Sequence, residues 1–196
     1  PKITVNRFPW MWALSVYVIS YGLILTFLSS YFWDDWVTYY LKTDGAMEQF
    51  LRSRGDWPTR AFLELTILGA RPELFKILTL VAYFAAGWFL FQILNTLDFI
   101  KNNQVRLITI LFLILPINSA RVAMVDFAYA FSLLLFFGAW FLLVTRKSFF
   151  FLVVGLFLFV LSFDATASLL VFLVAPCAHR LYLGLSDSAL SPVRTW

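Results

Sequence analysis

The chain has 196 residues, of which 62% are hydrophobic and 13% charged, and its net charge is +4. Soluble domains carry roughly 45–50% apolar and about 25% charged residues, so this composition excludes an ordinary water-soluble globule, which must cover its surface with polar groups. A lipid solvent removes that requirement, and the 23 Phe and 8 Trp suit lipid-facing helices and membrane interfaces. The basic residues sit in short loops and at the ends of apolar segments rather than on one clustered face. They therefore read as topology signals and contacts to anionic headgroups, and no nucleic-acid partner is expected. A single cysteine, Cys177, excludes an internal disulfide and a CxxC metal site, and reads as packing rather than as a nucleophile. No N-x-Ser/Thr acceptor for glycosylation is present.

Taken in chain order, the sequence predicts an all-α, polytopic transmembrane bundle of about six helices, with residues 1–196 as one membrane domain. A spanning helix needs about 20 mostly apolar residues. The first segment is 9–32. Lys2 and Arg7 precede it as in a signal peptide, but it is longer than an apolar signal core and no small-x-small cleavage site follows, so it reads as a retained helix. The loop 33–71 comes next. Within it, 37–52 spaces Tyr40, Met47, Phe50 and Leu51 at near-helical intervals with Lys42, Asp44 and Glu48 between them, the pattern of a short helix lying on a membrane surface. Gly55 and Pro58 break it, and 59–69 forms a second such pattern around Phe62, Leu65 and Ile67.

The remaining spans are 74–94, 107–120, 123–144, 149–163 and 168–185. Segments 107–120 and 149–163 are short and call for local thinning of the bilayer. The main alternative is five spans, with the last two segments as a re-entrant pair around Asp164. The polar tail 186–196 stops abruptly, as in a truncated chain. Counting Lys and Arg in the short loops places the N-terminus inside, with Lys2, Arg7, Lys101, Arg106, Arg146, Lys147 and Arg180 on the cytoplasmic side. The loop 33–71 and the turns around Arg121 and Asp164 then face outward. That loop mixes basic with acidic residues, so it reads as a functional surface.

Acids at a membrane are expensive and each needs a reason. Asp34 and Asp35 stand where the first segment leaves the bilayer, flanked by Trp33 and Trp36. Adjacent carboxylates raise each other's pKa or recruit a cation, and one can serve as general base while the other holds a metal or a substrate hydroxyl. The plainer role is to end a helix, with the tryptophans as an interfacial belt. Arg121 and Asp126 follow Pro116, which ends or kinks the third segment. They are either an ion pair in a solvated turn or a site for an anionic group served by Arg121. Asp164, in Ser162-Phe-Asp-Ala-Thr, reaches the same outer face, where its plain role is the N-cap of the last segment. His179, beside Arg180, reads as an interfacial residue without a metal partner.

Three stretches together resemble the membrane glycosyltransferases of the GT-C fold, nearest the protein mannosyltransferase and aminoarabinose transferase superfamily. Asp34-Asp35-Trp-Val-Thr-Tyr-Tyr, with Met47-Glu-Gln-Phe-Leu and Gly55-Asp-Trp-Pro58, is similar to that family's first outer loop. Pro116-Ile-Asn-Ser-Ala-Arg121-Val-Ala-Met-Val-Asp126 resembles its proline, arginine and acidic pattern between helices three and four. Leu161-Ser-Phe-Asp164, leading into an apolar helix that reaches Pro176, resembles a later hairpin. A Lys-Pro-Pro stretch common after the first-loop turn is missing, with Arg60-Ala-Phe-Leu near its place. The family has about twice as many helices, so this chain would be its N-terminal half, a minimal relative or a partner subunit.

The resemblance implies a polyprenyl-phosphate-linked sugar donor and transfer at the outer face, in a bacterial inner membrane. It makes Asp34, Asp35 and Asp126 the catalytic candidates. Arg121, Trp33, Trp36, Tyr40 and Asp164 become the substrate-binding candidates, with Arg121 meeting the donor phosphate. A divalent cation, if used, would fall to Asp34 and Asp35. The other function carried forward is a non-catalytic membrane subunit that binds lipid or partner helices. A transporter is weaker, because paired broken helices in two similar halves are not visible.

Overall fold

A computed structural model of the chain describes residues 9–21, 72–115, 127–146 and 148–190. Every regular element among these residues is helical: α1 (Trp10–Ser20), α2 (Pro72–Leu94), α3 (Asn102–Ile114), α4 (Phe127–Thr145), α5 (Phe149–Ala165), a 3-10 helix (Ala167–Leu173) and α6 (Val174–Leu190). Three stretches are long and apolar enough to cross a membrane: Glu73–Leu94, Phe127–Thr145 and Ala167–Leu185. The predicted outer loop 33–71, with both surface helices, lies outside the described residues, as does most of the second half of the first predicted segment.

The helices alternate in direction. Trp10 packs its ring on Phe84 and Phe91, while Tyr17 Oη donates to Leu80 O at 2.8 Å, so α1 runs antiparallel to α2. Val105 joins Ala13 and Phe91 in one cluster, and Leu113 lies against Gly87, so α3 is also antiparallel to α2. α4 runs parallel to α2, because Phe127 meets Phe75 at one end and Phe141 meets Phe89 towards the other. α5 returns along α4, with Phe159 on Phe136 and Ser162 on Ser132. The 3-10 helix and α6 then run back towards Trp140.

The α2 sequence explains its place at the centre. Phe75, Lys76, Thr79, Ala82, Tyr83, Ala86, Leu90 and Ile93 are buried at intervals of three and four residues, the spacing of one helix face. Leu74, Ile77, Leu78, Val81 and Trp88 stay exposed on the other side. In water such a face would be costly. Against lipid tails it is the expected exterior.

Two segments differ most from those predicted. The third segment, predicted at 107–120, is the helix Asn102–Ile114 of 13 residues. It starts early because Lys101 N–H donates to Gln104 Oε1 at 3.0 Å, half of a capping box that makes Asn102, Asn103 and Gln104 a sound first turn. It ends early because Leu115 precedes Pro116 and has left the helical region (φ −59°, ψ 129°), as a residue before proline must. At about 1.5 Å per residue its 13 residues reach about 20 Å, less than a bilayer core of about 30 Å.

The last segment, predicted as one helix over 168–185, is split at Val174. Pro176, fully buried, lacks the N–H that an unbroken α-helix would donate to Phe172 O, and a 3-10 turn preceding it needs no such bond.

Gly87 permits the closest approach of α2 and α3. A Cβ there would stand 2.6 Å from Leu113 Cδ2 and 3.1 Å from its Cγ, and Leu113 is itself buried with no room to swing away. Gly87→Val should therefore lower stability in detergent by about 1–3 kcal/mol. Gly184→Ala, where nothing lies within 4 Å, should leave it unchanged or slightly higher. Thermal or denaturant unfolding of the purified variants measures both.

Candidate functional site

The candidate residues of the sequence fall mostly outside the described residues. Trp33, Asp34, Asp35, Trp36, Tyr40, Arg121 and Asp126 are in that group. Asp164 is described. It lies in the last turn of α5, half-buried, rather than at the N-cap of the last segment as expected. α5 runs two residues past its predicted end at 163 because its hydroxyl-bearing face continues onto α4: Ser162 Oγ donates to Ser132 O at 3.0 Å.

The residue at the turn itself is Thr166, which makes no side-chain cap bond to the helix it precedes. Its hydroxyl lies 2.9 Å from Ser132 Oγ. Ser132 uses its own hydrogen on Ala128 O at 2.7 Å, so Thr166 is the donor in that pair. Two buried hydroxyls of α4 and α5 thus hold the α5 turn, and with it Asp164, against the first turns of α4.

The same end of the bundle contains a group that sequence reading passed over. Lys76 stands in the second turn of α2 with 2% of its surface exposed, on the stripe that faces the bundle interior. A lysine can normally snorkel from a helix end to water, and this one does not. Glu73, one turn earlier, is half-buried, and its Oε2 is enclosed without a hydrogen bond. An acceptor enclosed in that way costs about 1–3 kcal/mol. The signal available in the sequence was a lone cation three residues after Glu73 in an otherwise apolar run. Buried ionisable groups in such a helix mark binding or transport surfaces more often than structural ones.

Direction along the bundle groups these features. α1 and α3 run towards the end where α2 and α4 begin, and α5 finishes there. Glu73, Lys76, Asp164, Ser132, Ser162 and Thr166 therefore share one end. Among the described residues no group of His, Cys, Asp and Glu comes together that could hold a metal. His179, expected at an interface, is instead buried at the opposite end with 5% exposure, because Thr96 and Trp140 satisfy both of its ring nitrogens.

No family model, curated protein or solved structure matches this chain.

The Ser132–Thr166 bond is open to a direct test. Ser132→Ala and Thr166→Val should each cost about 1 kcal/mol, the net value of a buried hydrogen bond. The double variant should cost clearly less than their sum, with a coupling of about 0.5–1 kcal/mol. A double-mutant cycle by chemical unfolding gives that coupling.

Proposed function

We propose that this chain is a multi-pass membrane glycosyltransferase of the GT-C type, or part of one. It would move a sugar from a polyprenyl-phosphate-linked donor to an acceptor at the outer face of a bacterial inner membrane. One juxtaposition supports the reading. In the sequence Asp34 with Asp35 come before α2, and Arg121 with Asp126 before α4, and α2 and α4 begin at one end of the bundle. That end already contains Asp164 and the buried Lys76. An acid and a cation thus stand at the end of an apolar bundle where these two helices begin. A reaction between a lipid phosphate and a polar acceptor needs such an arrangement.

In this reading the acceptor hydroxyl attacks the anomeric carbon and passes its proton to Asp34. The bond from that carbon to the donor phosphate breaks, and Arg121 steadies the departing phosphate through its two-pronged guanidinium. Asp35 and Asp126 complete the acidic surface, with Trp33, Trp36 and Tyr40 at the sugar. Asp34 and Asp35 would be the ligands of any divalent cation.

Asp34→Asn keeps the shape and removes the base. Sugar transfer should fall by about 10²–10⁴-fold, the usual contribution of a general base, with expression and folding preserved. Full turnover in both Asp34→Asn and Asp35→Asn would move the chain to the class of non-catalytic partner subunits.

The orientation is tested separately, in a Cys177→Ser background. Cysteines placed at Lys42 or Gly55 should react with an impermeant thiol reagent in intact cells, and a cysteine at Asn102 should not. The reverse pattern would turn the acidic end inward and remove the outer-face reaction.

A further inference from the structure

The end of the bundle away from the acids is closed by a hydrogen-bond relay. His179, the chain's single histidine, lies in α6. Its Nδ1 is 3.2 Å from Trp140 Nε1 of α4, and its Nε2 is 2.9 Å from Thr96 Oγ1, in the turn that follows α2. Thr96 Oγ1 donates in turn to Ile93 O at 2.6 Å. The indole and imidazole rings meet edge to face, 6.0 Å between centroids.

The direction of every bond follows from donor chemistry. An indole N–H only donates, so Nδ1 must present its lone pair. A neutral imidazole then carries its proton on Nε2, which donates to Thr96 Oγ1. The threonine hydrogen is already committed to Ile93 O. Three hydrogens serve three acceptors, and the relay runs one way from indole to carbonyl.

We infer that this relay is a proton-operated latch on the last helix: a proton added at Nδ1 replaces the lone pair by a second N–H facing the indole N–H, and the Trp140–His179 bond is lost. Among the described side chains, the ionisable groups at this end are Asp98 and Lys101 in the α2–α3 connection, Arg146 beyond α4, and Cys177, Arg180 and Tyr182 on α6, all exposed, with Arg106 of α3 half-buried. Tyr182 turns its ring to Phe99, and Arg146 lies over the Phe151 ring. Among the described residues none of these groups bonds to His179, so no carboxylate is in place to hold an imidazolium. The exposed Lys101 and Arg146 mark this end as one that water and protons reach.

The latch matters because α6 belongs to the least buried of the three candidate spans. Of the three candidate spans, Ala167–Leu185 has 17% of its length buried, against 44% for Glu73–Leu94 and 39% for Phe127–Thr145. The Thr166–Ser132 bond anchors one end of that span and the His179 relay the other. With the relay intact α6 is pinned at both ends. With it open, the span loses its polar anchor near that end and keeps the α5 turn, the packing of Leu169 and Leu173 on the Phe136 cluster and the Tyr182–Phe99 contact. Histidine is suited to this switching because its charge changes near physiological pH.

The chain supplies its own reporters. Labelling with 15N-histidine reads one residue, and a spin label on Cys177, the single, exposed cysteine, reads α6 two residues away. In the full chain in lipid nanodiscs at about pH 7.5, Nδ1 should carry no proton and Nε2 should carry one, with the label immobile. On acidification to about pH 5, the imidazolium signal and a mobile label component should appear together. His179→Gln donates and accepts but does not titrate, so its label spectrum should not change with pH. Trp140→Phe should show the mobile component already at neutral pH. A neutral-pH proton on Nδ1, a wild-type label immobile at both pH values, equal pH responses in wild type and His179→Gln, or an immobile label in Trp140→Phe would each overturn the latch.

Discussion

Hydrogen-bond satisfaction without water governs this bundle. In lipid an unpaired polar group has no solvent to fall back on, and several interior hydroxyls here turn to a backbone carbonyl. Thr79 donates to Phe75 O, Thr109 to Val105 O and Ser132 to Ala128 O, each four residues back along its own helix. Tyr17 and Ser162 reach across to carbonyls of neighbouring helices instead, at Leu80 and Ser132. The first kind of bond lets a polar residue sit in an apolar helix. The second fixes the register between helices, because a hydroxyl has one hydrogen to give.

Against that background the remaining polar groups acquire meaning. Glu73, an acceptor only, cannot use a carbonyl, and its Oε2 is enclosed without a hydrogen bond. Lys76 is buried at the same start of α2, the end of the bundle where Asp164 also lies. At the other end, the Trp140–His179–Thr96 relay completes its accounting without any charge. One end of the bundle holds the half-buried Glu73 and Asp164 with Lys76 and the other a buried neutral network, and α4 contributes to both through Ser132 and Trp140.

Aromatic packing fills the space between. Phe136 touches Phe137, Trp140, Phe159 and Phe163, mostly edge to face, and so joins α4 to α5. Without a hydrophobic drive between helices in lipid, this contact area and the small residues that admit it hold the helices together. Gly87 does the same for α2 and α3 by letting Leu113 approach. The two devices are complementary: rings supply contact area, and a bare backbone leaves room for a facing side chain.

The sequence by itself determined the solvent and the class of structure. Run length and the scarcity of charge are additive properties, so α2 and α4 were found within a few residues of their observed bounds. Proline chemistry was legible too, since Leu115 before Pro116 ends α3 by a local steric rule. The N-terminal bound of α3 was missed because a Gln104 cap outweighed the polarity of Asn102 and Asn103. Asp164 read as a cap by its position after an apolar run, yet α5 carries it inside, because Ser162 finds its acceptor on another helix. Lys76 drew no reading from the sequence, and the burial of His179 was not foreseen, for the same reason. Their burial depends on which face each helix turns inward, and on partners such as Thr96, 83 residues away from His179. Only the tertiary structure decides that, because a side chain's solvent is set by neighbours distant in the chain.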